Sequence, residues 1–189
     1  MKLPPHRSAK HYKLMKDNES ESSIIDNFLN KEDFKNIKDS FITHDCAWYY
    51  STKVGTMNEI DNLNNSYFVH RLYQDHESKS DKLKIMMPVF NKLGLKVLIR
   101  AKANLFTRTE KIHYFDIHQD LNFDANAAIL YLNNCDGFTI LEHSTRDPEK
   151  RVTISSIENR LLLFKADTPH RSTSCTDQKF RMNININYI

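Results

Sequence analysis

Apolar and polar residues alternate strictly over the end of the chain, KFRMNININYI. Phe180, Met182, Ile184, Ile186 and Tyr188 share one side, and Arg181, Asn183, Asn185 and Asn187 share the other. This period of two is the signature of a β-strand with one apolar face. Its polar face is unusual, because Asn is a poor strand residue. Amides and a guanidinium in register predict either a solvated face or a polar pocket with one fixed positive charge. The stretch LKVLIRAKANLF repeats the asymmetry, with Val97, Ile99, Ala101 and Ala103 opposed to Arg100, Lys102 and Asn104. Two such strands predict one sheet, covered by helices on its apolar side and facing a cleft on the other.

The remaining elements follow from the same reading. Ile24 and Ile25 predict a short strand, and Asn30 can cap a helix in which Phe34, Ile37 and Phe41 recur at helical spacing. CAWYYS and YFVHRLYQ read as strands, with NEIDNLNNS as a loop between them. A helical stretch runs from Asp81 to Leu93, with Pro88 at a kink or first turn and Gly94 as its stop. Beyond Gly94 the pattern is β, with strands at about 95–106, 112–118, 126–133, 138–142, 151–155, 160–165, 170–174 and 180–188. Helices first and many short strands after predict a mainly β (α+β) domain with the helices on one side. Residues 1–22 are polar, basic and then Ser/Glu-rich, which predicts a flexible N-terminal extension before a single domain over 23–189.

Composition narrows the setting. The chain of 189 residues has no apolar run of membrane-spanning length and no apolar leader at its N-terminus. Cys46, Cys135 and Cys175 are widely spaced, which argues against a disulfide framework or thiolate zinc site and fits a reducing cytoplasm. The net charge of +3 is too small to point to nucleic acid.

Candidate chemistry enters at IHQD. On an extended strand His118 and Asp120 point the same way, roughly 6.6 Å apart, and can share a metal ion. H-x-D alone is a weak signal. His170, in TPHRS, supplies the second imidazole that a facial triad for ferrous iron requires. Arg181 follows on the polar face of the last strand, able to bind a carboxylate through two parallel hydrogen bonds. Tyr131 in AAILYLN offers a hydroxyl to that carboxylate, or is a core tyrosine. His113, Asp116 and His143 are expected to stay outside the metal cluster.

In this combination the sequence resembles the iron(II)- and 2-oxoglutarate-dependent dioxygenases, and most of all the prolyl 4-hydroxylase-like group, including short single-domain proteins common in marine phages. The likeness covers about residues 24–189 and includes IIDNFL, LIRAKANLFTRTEKIHYFDIHQD, AAILYLNN and ENRLLLFKADTPHRSTSCTDQKFRMNININYI. Its most specific part is N-R-L-x-x-F followed by P-H-R. The resemblance implies a double-stranded β-helix (a distorted jelly roll) with helices on the outer face of the larger sheet. It implies iron(II) on His118, Asp120 and His170, and 2-oxoglutarate held by Arg181 and Tyr131. The reaction it implies consumes O2, hydroxylates a C–H bond and releases succinate and CO2, with ascorbate as an auxiliary reductant. The substrate is left open among a peptide, with a prolyl residue as the family's guess, an amino acid and a small molecule. Arg100, Asn104 and Arg171 are candidate substrate contacts, Lys102 and Arg108 further cations at the cleft mouth, and Trp48, Tyr49 and Tyr50 a candidate aromatic wall. Expected alongside are a cytoplasmic location (the host's, if viral), a monomer or homodimer, and no membrane or nucleic-acid partner. The competing readings are a jelly-roll binding module without turnover and a cupin-type metal enzyme without 2-oxoglutarate, the latter disfavoured by Arg181.

Overall fold

The computed structural model describes residues 22–52, 65–142 and 151–189. The expected extension therefore lies outside the described residues up to position 21, and so do His143 and most of NEIDNLNNS.

The strands are β1 (Ser22–Ile25), β2 (Tyr49–Ser51), β3 (Tyr67–Gln74), β4 (Glu77–Ser78), β5 (Leu98–Thr107), β6 (Asn126–Tyr131), β7 (Phe138–Glu142), β8 (Arg151–Ser155), β9 (Leu161–Lys165), β10 (His170–Ser172) and β11 (Phe180–Tyr188). Two sheets hold them. The larger runs β1-β9-β6-β11-β5-β3-β2, with β4 beside β3, and the smaller runs β10-β7-β8. Every pair of neighbouring strands is antiparallel. This is the mainly β domain that the pattern predicted, in the jelly-roll form that the resemblance implied.

The helices form where local signals place them. Helix α1 (Lys31–Phe41) begins where the Asn30 side chain accepts from the Asp33 N–H at 2.9 Å, and its buried residues are Phe34, Ile37 and Phe41. A 3-10 helix (Asp81–Met86) leads into α2 (Met87–Leu93), which has Pro88 in its first turn and stops at Gly94 in the left-handed region, φ 68°.

The apolar row of β11 packs where it was expected. Met182, Ile184, Ile186 and Tyr188 share a core with Phe34, Ile37 and Phe41 of α1 and with Met86, Val89 and Phe90. A second core lies on the opposite face of the larger sheet, where Ala127, Ile129, Tyr131, Leu162 and Phe164 meet Leu141 and Ile154 of the smaller sheet. Alternate residues of β6 and β9 thus serve different layers, which is why both strands read as continuously apolar.

The strand LKVLIRAKANLF departs from its expected alternation at one point. A register shift lies between Asn187, which pairs with Arg100, and Tyr188, which pairs with Leu98. This bulge turns Leu98 to the helix side, leaves Val97 exposed and sends Ile99 to the inner core. A second departure is the strand expected over 112–118, which forms only bridges, Tyr114 to Thr173 and His118 to His170. Pairing slips by one residue between those bridges, so no continuous ladder builds. Trp48 packs on the outer core against Phe41 and His70 rather than forming a wall with Tyr49 and Tyr50, which are exposed.

Candidate active site

The slip in pairing delivers His118 directly opposite His170. Each donates its N–H to the other's carbonyl, at 2.9 and 2.8 Å, and the rings approach to 4.4 Å between centroids. Asp120 is anchored two residues on, where its N–H meets the Ala166 carbonyl at 3.0 Å. One ligand atom from each of His118, Asp120 and His170 lies within 4.8 Å of the others, the only such cluster among the described residues. His113 stands apart with its ring against Phe115, and Asp116 accepts from Asn65 at 2.7 Å.

The neighbours of the triad set its tautomers. His118 Nδ1 is 3.2 Å from the Asp116 carbonyl and His170 Nδ1 is 2.9 Å from the Thr168 carbonyl. A carbonyl only accepts, so each Nδ1 carries the proton and each Nε2 keeps a lone pair for a metal. Burial, followed by repulsion from His170, pushes the His118 imidazole down to about 3. Burial alone would raise the Asp120 carboxyl, but the fields of His170, Arg100, His118 and Lys102 outweigh it and hold the group well below the usual carboxylate range. The triad thus offers two imidazole nitrogens and one carboxylate, the donor set that suits a divalent transition metal.

The polar face of β11 lines the same region. Asn183 accepts from Asn104 at 2.9 Å, and Asn185 and Asn187 both donate to Asp120 Oδ2, at 2.9 and 3.0 Å. Arg100 pairs with Asp120 Oδ1 at 2.6 Å. A small open cleft is lined by Tyr67, Lys102, Asn104, Phe106, the triad, Ile129, Ser172, Asn183 and Asn185. The Lys102 ammonium donates to the Tyr67 hydroxyl at 3.2 Å. Arg108 is taken up by the Thr176 carbonyl and Arg171 by Glu142, at 2.7 and 2.6 Å.

Arg181 is completely buried. Its guanidinium donates to the Thr139 hydroxyl at 2.9 Å and, at 3.3 Å, to the Thr173 carbonyl. It sits 5.5 Å from the Phe106 ring and 5.6 Å from the Tyr131 ring. Nε has no partner, and no carboxylate among the described residues meets the group. Tyr131 donates to the same Thr139 oxygen at 2.9 Å, and burial pushes its phenol up, so it stays a donor. Arg181 does not line the cleft itself, but the Phe106 ring beside its guanidinium does. Gly137 makes room for it, since a Cβ there would lie 2.6 Å from Arg181 Cδ and 2.4 Å from the Ser174 carbonyl.

Sequence reasoning missed Thr139, Tyr67 and the role of Asn187. Asn187 was visible in the β11 alternation, but nothing in the sequence marks Thr139 as the hydroxyl shared by Tyr131 and Arg181.

No protein-family model and no curated protein matches the chain. Solved structures do. The chain is similar to a prolyl hydroxylase from Trichoplax adhaerens in complex with a hypoxia-inducible-factor peptide fragment, with a TM-score of 0.67 and 17% identity over 96% of this chain and 88% of that one. It is similar to a 2OG-Fe(II) oxygenase-family oxidoreductase from Burkholderia pseudomallei, with a TM-score of 0.67 and 10% identity over 100% and 93%. It is also similar to the epimerase SnoN in complex with Fe3+, alpha-ketoglutarate and nogalamycin RO, with a TM-score of 0.62 and 14% identity over 97% and 82%. The chain therefore has the fold of the 2-oxoglutarate- and iron(II)-dependent oxygenases, with a prolyl hydroxylase among the structures it matches.

Proposed function

We propose that the protein is an iron(II)- and 2-oxoglutarate-dependent dioxygenase that hydroxylates a C–H bond, with a prolyl residue of a peptide as the first substrate to test. The observation that carries this reading is the unanswered charge of Arg181. A buried guanidinium costs several kcal/mol unless an anion completes it, and the distal carboxylate of a dicarboxylate has the shape to do so. Tyr131 stands beside it as a second donor.

The donor set fits ferrous iron, with His118, Asp120 and His170 as the residues that would hold it. Bound there together with 2-oxoglutarate and O2, the iron supplies the oxidising chemistry, whose coproducts are succinate and CO2. The chain's own residues do the rest. Carbonyls at Asp116 and Thr168 aim the imidazoles, and Arg181 and Tyr131 would grip the far carboxylate. Among the proposed substrate contacts, Asn104 faces the cleft with its Oδ1 unpaired. Arg100 and Arg171 would act through Asp120 and Glu142, which they already hold. The neighbouring folds were solved with a peptide and with a small molecule, and both substrate classes enter the screen.

The test is an anaerobic titration of 2-oxoglutarate into the Fe2+ protein, followed by O2 and quantification of succinate with a panel of prolyl peptides and metabolites. Tight binding and substrate-stimulated succinate are expected, and both should be lost in Asp120→Ala. Binding without succinate would reduce the protein to a jelly-roll binding module. No 2-oxoglutarate binding would end the dioxygenase reading.

A further inference from the structure

We infer that Asn185 and Asn187 are positioning residues that keep Asp120 a one-oxygen ligand, while Arg100 tempers the charge of the oxygen left available; the inference rests on the metal-site reading above. A carboxylate offers about four lone-pair positions, two on each oxygen. Three are filled here. Oδ2 accepts from both Asn185 and Asn187, and Oδ1 accepts from Arg100. Oδ2 is therefore full, and the single open position is on Oδ1.

The clamp is braced against rotation. Arg100 Nε donates to Asn187 Oδ1 at 3.0 Å, across the register pair that joins β5 to β11. The Asp120 side chain is 2% exposed, so water does not compete for its oxygens. A carboxylate free to turn could chelate through both oxygens and consume one more coordination position. With Oδ2 filled it takes one, and an octahedral ion keeps three positions open for what must bind there.

The two kinds of clamp residue act differently. The amides set the number of oxygens that bind. Arg100 contacts the oxygen that stays available, draws charge from it and places a cation beside the ion. Its effect on affinity is thus opposite in sign to that of an acceptor that takes a proton from a ligating imidazole, whose loss weakens binding.

The probe is Mn2+ in the full chain, with water-proton relaxation counting exchangeable waters on the ion and calorimetry giving its affinity. The parent protein should show about three such waters, as expected for a three-ligand octahedral site. Asn185→Ala/Asn187→Ala should show one fewer at equal or tighter affinity; Asn187→Ala alone should shift the same way if the double variant does not fold. Arg100→Met should keep the parent's count and bind Mn2+ about tenfold tighter, because the cation next to the ion is gone; Arg100→Lys should behave like the parent. An unchanged water count in the Asn variants overturns the proposal, and weaker Mn2+ binding by Arg100→Met reduces Arg100 to a structural residue. A parent that does not bind Mn2+, or an Asp120→Ala variant that binds it equally well, overturns the metal-site reading instead.

Discussion

Replacing Arg181 by Met separates the cost of a buried charge from its use. Arg181 has one good hydrogen bond to Thr139, a long one to Thr173 and two aromatic rings near its guanidinium. A charged hydrogen bond contributes about 1.5–3 kcal/mol, and a desolvated cation–π contact about 2 kcal/mol. Against them stands a desolvation cost of several kcal/mol for the unpaired ion. The two sides nearly cancel, and Met fills most of the same volume. Stability should change by no more than about 2 kcal/mol, or about 4–8 °C in Tm for a chain of this size. Cosubstrate binding should change far more. Removing one member of a desolvated charge pair costs about 2–5 kcal/mol, roughly a thirty- to several-thousandfold loss. At a 2-oxoglutarate concentration 100 times the parent Kd, the parent gains about 2.7 kcal/mol. The variant should gain less than about 0.9 kcal/mol by the same relation. The assay is thermal unfolding of both proteins with Mn2+, under argon, with and without 2-oxoglutarate. An equal rise in Tm for both would refute the reasoning: Arg181 would be only a strand residue.

Three further outcomes are expected. Gly137→Ala should cost about 1–3 kcal/mol and weaken 2-oxoglutarate binding, because its Cβ would run into Arg181 and the Ser174 carbonyl; unchanged unfolding and binding curves would show that this corner yields freely. In the metal-free protein, the His118 imidazole refuses a proton that the unfolded chain accepts near its ordinary value of 6.5, so stability should fall as pH drops from about 6.5 towards about 3. Asp120, held low, adds to the loss below its ordinary value of 3.8, and His118→Gln should flatten the upper part of the Tm profile. Deleting residues 1–21, which precede β1, should leave unfolding and 2-oxoglutarate binding unchanged, because that polar segment has little to bury; a truncated protein that fails to fold would make the segment part of the domain.

Much of the architecture was legible because β11 carries a clean period of two and α1 one of 3.6. The pairing of His118 with His170 was legible as chemistry but not as geometry. The sequence predicted a regular strand over 112–118, whereas the structure uses a one-residue slip to bring the imidazoles face to face. A slip leaves no mark in composition, and neither does the bulge that turns Ile99 inward. The amide row was visible as an anomaly, yet its targets were not. Asn185 and Asn187 reach Asp120 across 65 and 67 residues of chain, and only the completed fold sets such contacts. The same holds for Thr139, an ordinary residue until Arg181 and Tyr131 converge on it.

The position of β11 has a consequence for how the protein is made. It is the latest of the strands in sequence, yet it lies between β5 and β6 near the middle of the larger sheet. On a ribosome, β5 can pair with β3 well before Tyr188 appears, 81 residues after Thr107, whereas β9 ends only 23 residues before it. The β3–β5 half-sheet then waits about 4–16 s, at about 5–20 residues per second, with an unpaired edge where the last strand belongs. Until that strand enters, the nascent chain has neither Arg181 nor the amides that hold Asp120. The chain is therefore most open to mispairing just before it can bind anything, and a nascent chain arrested before Phe180 would present the unpaired edge of β5 and no working site.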